Sequence, residues 1–158
     1  MTLFSKNLSI IVLPILILGA FCSFTQKKSN NLKFDIVASQ HQDTSTFYSD
    51  VKVRKAFKLI SDNKNNPNFI VIDVRAEDEY AEDHLPKAIN INYKSSNFSD
   101  KLDSLDKSKI YLVYCVAGYR SKKSENIMKE KGFKYIYNMQ GGIIKWKSKK
   151  LPLESKNN

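Results

Sequence analysis

Ile110-Tyr111-Leu112-Val113-Tyr114, followed at once by Cys115-Val116-Ala117-Gly118-Tyr119-Arg120-Ser121, is the stretch on which the reading of this chain turns. The first five residues form an apolar run that predicts a strand covered on both faces. A glycine-containing turn then leads into a helix over Arg120 to Lys131, stopped by Gly132. Cys115 therefore stands at the carboxyl end of a strand, where open α/β sheets bind their ligands. A short turn before a helix aims successive backbone N–H groups inward as an anion nest, and the helix N-terminus reinforces it. A thiolate inside that ring is stabilised, so its pKa falls and its nucleophilicity at neutral pH rises. Arg120 adds a cation at the rim. The competing reading is a buried Cys acting as a small hydrophobe.

The flanking sequence repeats the α/β pattern. Val53, Ala56, Phe57 and Ile60 share one helical face, and Asn65-Asn66-Pro67 ends that helix. Phe69 to Ile72 predicts a second doubly covered strand. Ala76 to Asp83 predicts a short acidic helix, Ala88 to Ile91 a short strand, and Ser99 to Leu105 another helix. Tyr135-Ile136-Tyr137 predicts a strand, and Gly141-Gly142 opens a last helix through Trp146. Strands alternating with helices at this spacing imply a three-layer α/β domain, its mainly parallel sheet flanked by helices.

The amino-terminal end differs in kind. After Lys6, an uncharged apolar run from Ile10 to Phe21 has the size of a signal-peptide core and is short for a membrane span. Cys22 follows Leu18-Gly19-Ala20-Phe21, which resembles a bacterial lipobox except for the bulky Phe21. Three readings of residues 1–22 stand open: a cleaved signal peptide, a lipoprotein signal acylated on Cys22, or an uncleaved anchor. Each places the protein outside the cytoplasm, in the periplasm or attached to the cell envelope. Residues 23–47 are polar, without periodicity, and read as a tether; 48–155 form the domain. His41, in the tether, has no second ligand at metal spacing, and neither a metal nor an organic cofactor is implied.

Only two cysteines are present, so the domain carries one thiol and forms no internal disulfide. A thiol retained in an oxidising compartment asks for a reason. The net charge is +10, but 23 of the 26 cations are lysines scattered through every segment. Nucleic-acid readers cluster Arg and Lys on one face. The scatter therefore points away from nucleic acid.

Several motifs together resemble the rhodanese family. Its active-site loop runs Cys, two variable residues, Gly, a variable residue, Arg, then Ser or Ala, as in Cys115 to Ser121. Ile72-Asp73-Val74-Arg75, Glu79-Tyr80 and His84 to Ile91 are similar to its first block. Gly141-Gly142-Ile143, Trp146 and Leu151-Pro152 are similar to its closing block. Asp83 and Lys87 stand where that pattern usually has glycine. The resemblance spans residues 48 to 155.

It implies a sulfurtransferase in which Cys115 takes a sulfane sulfur from a small donor such as thiosulfate. The resulting persulfide would be held by the backbone N–H groups of Val116, Ala117, Gly118, Tyr119 and Arg120, with Ser121, Asp73 and Arg75 supporting the loop. The acceptor would be cyanide or a thiol, on a small molecule or a protein, and the domain is expected to act as a monomer. The alternative is a non-catalytic sulfur-carrier or protein-binding module. His84 reads as a turn residue, Trp146 as core, and Tyr119 as a side chain at the pocket mouth. Some cell-cycle dual-specificity phosphatases resemble the same fold, but place five residues between Cys and Arg where this loop has four.

Overall fold

The computed structural model describes residues 45–155. The expected export segment, most of the tether, Cys22 and His41 lie outside them. In chain order the elements are β1 (Phe47–Lys52), α1 (Val53–Asp62), β2 (Phe69–Asp73), α2 (Glu77–Glu82) and β3 (Ala88–Asn90). They continue with α3 (Phe98–Asp103), β4 (Ile110–Tyr114), α4 (Tyr119–Glu130), β5 (Tyr135–Gln140) and α5 (Gly142–Ser148). The sheet order is β1-β5-β4-β2-β3, and every pairing is parallel.

Alternation along the central strands builds two cores, one on each face. In β4, Leu112 and Tyr114 join Val53, Ala56, Ile60, Ile143 and Trp146, the buried residues of α1 and α5. Tyr111, Val113 and Cys115 point the other way, to Phe98, Leu102, Met128 and Phe133 around α3 and α4. Each fully buried aliphatic side chain contributes about 1.5–3 kcal/mol relative to exposure. The apolar run that predicted a doubly covered strand is thus one strand feeding two cores, with Cys115 on the α3–α4 side.

α4 ends as the sequence requires. Phe133 N–H donates to Met128 O at 3.1 Å and Gly132 N–H to Lys129 O at 2.9 Å, while Phe133 and Met128 share a core. That is a Schellman closure with its hydrophobic contact. It turns the chain directly into β5.

Two elements differ from expectation. β1 had no counterpart in the sequence reading, and its first residue, Phe47, closes the stretch read as tether. It pairs with β5 over the full length of both strands, from Phe47 with Tyr135 to Lys52 with Gln140. Correspondingly, β5 continues to Gln140 instead of stopping at Tyr137. Asn138, in that extension, is buried and donates to Asp50 of β1 at 2.9 Å.

Candidate active site

β4 delivers Cys115 into a turn whose backbone closes around the sulfur. Gly118 adopts φ +108°, a conformation side chains rarely accept, and caps α4. Its N–H donates to Cys115 Sγ at 3.2 Å. Burial pushes the thiol up, but hydrogen bonds from the N–H groups of Ser121, Gly118 and Ala117 and from the Ser121 hydroxyl outweigh it. The net result is a thiol held below its ordinary value. In the structure the Ser121 hydroxyl donates to Gly118 O at 3.1 Å. Cys115 is recessed, at 1 % exposure, so a reactant must reach into the loop.

The turn between β5 and α5 backs this loop. Ile143 N–H donates to Cys115 O at 2.9 Å and Ile144 N–H to Val116 O at 3.2 Å. The first amides of α5 thus fix the first two carbonyls of the sulfur loop. Contact this close needs glycine: a Cβ on Gly142, whose φ is +54°, would stand 2.2 Å from Val116 O. The closing block of the sequence is therefore the floor of the site.

Asp73 and Arg75 act one layer back. The Asp73 carboxylate accepts from Arg75 N at 2.8 Å and from Arg75 Nε at 2.9 and 3.1 Å, with both residues buried. Arg75 also donates to the Asp83 carbonyl, tying the end of β2 to the turn after α2. Neither side chain bonds the sulfur loop directly. The link is Tyr114, the residue before Cys115: its phenol accepts from Leu85 N at 3.0 Å, and its ring centre lies 6.0 Å from the Arg75 guanidinium carbon. Desolvation, then the neighbouring Asp73 charge, pushes the Tyr114 phenol far up, so it stays protonated as a donor.

Arg120 is not a free cation. Its Nη1 and Nη2 donate to Glu79 Oε2 and Oε1 at 3.1 and 3.3 Å. Glu79 Oε2 also accepts from Ala76 N at 3.1 Å, which anchors the carboxylate to the start of α2. Burial pushes the Glu79 carboxyl up, and the bonds from Arg120 and Ala76 bring it below its ordinary value. Sequence reasoning met Glu79 only as part of a motif block, because nothing local signals a partner 41 residues downstream.

His84 and Trp146 serve the frame. His84 Nδ1 lies 2.9 Å from Tyr80 O, its ring stacks on Tyr80 at 4.0 Å, and its backbone forms a two-bond bridge with Glu154. Trp146 is fully buried and donates to Pro152 O at 2.8 Å. Tyr119 is 71 % exposed, with Lys123 Nζ 4.6 Å from its ring centre. A cleft of about 410 Å³ lies where β2 and β3 begin, lined by Ile60, Phe69, Pro86 and Lys87, at the opposite end of the sheet from Cys115. No three His, Cys, Asp or Glu side chains converge as a metal site among the described residues.

A family model, the rhodanese-like domain, matches residues 56–149. Among curated proteins, the thiosulfate sulfurtransferase GlpE of Coxiella burnetii is 31% identical over 102 residues, covering 64% of this chain and 89% of that protein. The putative sulfurtransferase YtwF of Bacillus subtilis is 35% identical over 82 residues, covering 52% of this chain and 77% of the relative. The rhodanese-like domain of the Anabaena protein Alr3790, solved by NMR, superimposes with a TM-score of 0.59. The match covers 67% of this chain and 78% of that one at 22% identity, a likeness of fold.

Proposed function

This chain belongs to the rhodanese-like domain family, and from that membership we propose that it is a sulfurtransferase whose Cys115 carries the sulfur. The observation that carries the reading is the Gly118 N–H turned onto Cys115 Sγ at 3.2 Å at the N-terminus of α4, in a loop whose amides hold the thiol below its ordinary value.

In the first half-reaction, the Cys115 thiolate attacks the outer sulfur of thiosulfate. A Cys–S–S bond forms, the S–S bond of the donor breaks, and sulfite leaves with the electron pair. The terminal sulfur of the persulfide is anionic, and the donors that stabilised the thiolate stabilise it in turn. In the second half-reaction, a thiophilic acceptor attacks that terminal sulfur. Cyanide leaves as thiocyanate and a thiolate as its persulfide, and Cys115 returns as thiolate. Charge and atoms balance without a redox partner.

Two features favour turnover over a carrier-only role. The nucleophile, Gly118 and Arg120 of the loop are all present, and the thiol is lowered despite its burial. The recessed sulfur favours slender reactants, such as thiosulfate, cyanide or a thiol on a projecting tip. Export from the cytoplasm is part of the proposal and rests on the apolar run before Cys22.

The deciding experiment is peptide-resolved mass spectrometry after incubation with thiosulfate, beside a thiosulfate:cyanide assay. The peptide containing Cys115 is expected to gain one sulfur atom and lose it on adding cyanide. Cys115→Ser, close to isosteric, is expected to abolish both while leaving the fold intact. Equal activity in that variant would remove Cys115 from the mechanism.

A further inference from the structure

The Arg120 guanidinium stands in the sulfur loop, and its side-chain hydrogen bonds run to Glu79. The groups that lower Cys115 are the amides of Ser121, Gly118 and Ala117 and the Ser121 hydroxyl. Two arms of the guanidinium face Glu79, and Glu79 is itself pinned by Ala76 N–H. Both groups remain reachable: the Arg120 side chain is 19 % exposed and that of Glu79 is 32 %. An anionic donor approaching the loop thus meets a guanidinium whose charge is already offset by a fixed carboxylate. It must share Arg120 with Glu79 and stand close to a like charge.

On the sulfurtransferase reading above, we propose that Glu79 is a specificity-determining residue that sets how strongly the site discriminates between donors by their charge. With Glu79 ionised, the Glu79–Arg120 pair presents no net charge, and a dianion gains little over a monoanion of the same shape. Neutralising the carboxylate uncovers the cation and favours the dianion. Removing the cation leaves the carboxylate alone and disfavours it. Glu79 touches neither sulfur nor nucleophile; it acts through Arg120.

Thiosulfate and methanethiosulfonate test this directly. They share shape and transferable sulfur but carry two charges and one, and they leave as sulfite and methanesulfinate. The measured quantity is the second-order rate of Cys115 persulfide formation with each donor, in the full chain at low salt. Glu79→Gln keeps an acceptor for Ala76 N–H and one arm of Arg120, so the local frame is retained. The rate ratio of thiosulfate to methanethiosulfonate is expected to rise roughly three- to tenfold in Glu79→Gln and to shrink back as salt is added. It is expected to fall in Arg120→Gln and to return near the wild-type value in the double variant. Asp78→Asn, an exposed neighbour on α2, is the control and should shift the ratio less than Glu79→Gln. A ratio that is unchanged or falls in Glu79→Gln, or that fails to fall in Arg120→Gln, overturns the proposal. Absence of any persulfide in the wild type with either donor overturns the sulfurtransferase reading and this one with it.

Discussion

Gly142 lies so close to Val116 that a single added methyl carbon would sit 2.2 Å from the Val116 carbonyl oxygen and 2.4 Å from that of Cys115. The sulfur loop and the β5–α5 turn are therefore one packed unit. Gly142→Ala must open this contact and also hold an Ala at φ +54°. Strain of this kind costs roughly 1–3 kcal/mol, which for a domain near 100 residues lowers Tm by roughly 5–20 °C. Because the displaced atoms carry the loop, persulfide formation is expected to fall at least about tenfold in protein that is still folded. Gly132→Ala is the comparison: its φ is +86° but nothing lies within 4 Å of a Cβ there. It is expected to lower Tm while leaving the rate of sulfur uptake alone. Calorimetry and single-turnover sulfuration on the two variants check both statements.

The pH profile of sulfur uptake follows from the same ring of donors. The folded thiol is held below its ordinary value, so the reactive thiolate persists to lower pH than in a free cysteine, whose pKa is about 8.5. The rate is expected to rise with the thiolate fraction, with a midpoint below that value, and then level off. Ser121→Ala removes one donor, so the midpoint moves up while the plateau at high pH is retained. By linkage, the thiolate's contribution to folding is present above the unfolded thiol's pKa and fades as pH falls through the folded one. Alkylation of the Cys115 peptide as a function of pH reads the midpoint; a midpoint at or above the free-cysteine value contradicts the structural assignment.

The parts of the molecule legible in the sequence are those whose signal is local. Ile110 to Tyr114 announces a doubly covered strand through apolar, β-prone residues alone, and the closure of α4 at Gly132 is written within the six residues from Met128 to Phe133. β1 was not legible because it lies at the edge of the sheet: of Phe47 to Lys52 only Val51 is buried, so no alternation marks it. Its strand character comes from pairing with β5, some ninety residues away. Glu79 was hidden for the same reason, since its role exists only once α2 and α4 meet. Gly142 appeared as part of a motif, but its reason, a backbone approach to Val116, is tertiary. Asp73 and Arg75 were expected to brace the loop, and they reach it only through Tyr114.

Export is tested apart from catalysis, on the residues before the domain. Fusing residues 1–30 to a reporter is expected to carry it out of the cytoplasm. If Cys22 is acylated, Cys22→Ala releases the full protein from membranes. Membrane association that survives the substitution assigns attachment to the apolar run from Ile10 to Phe21 or to another contact. A reporter that stays in the cytoplasm rules out the export signal.

Sulfur chemistry is distinguishable from phosphoryl chemistry at the same loop. Four residues separate Cys115 from Arg120, and the Gly118 N–H closes onto the Cys115 sulfur itself at 3.2 Å. A ring drawn this tightly suits one added sulfur and leaves little room for a tetrahedral phosphoryl group. Phosphoester cleavage by a cysteine also needs a general acid for the leaving oxygen. The carboxylate bonded to the loop's arginine is Glu79, and it is held below its ordinary value by Arg120 and Ala76, hence ionised at neutral pH and unable to donate. Its two oxygens are already occupied as acceptors. Aryl phosphates are therefore expected to be hydrolysed no faster by the wild type than by Cys115→Ser, under conditions where thiosulfate loads Cys115 with sulfur. Cys115-dependent phosphatase turnover with no detectable persulfide would reverse the assignment and would require a proton donor other than Glu79.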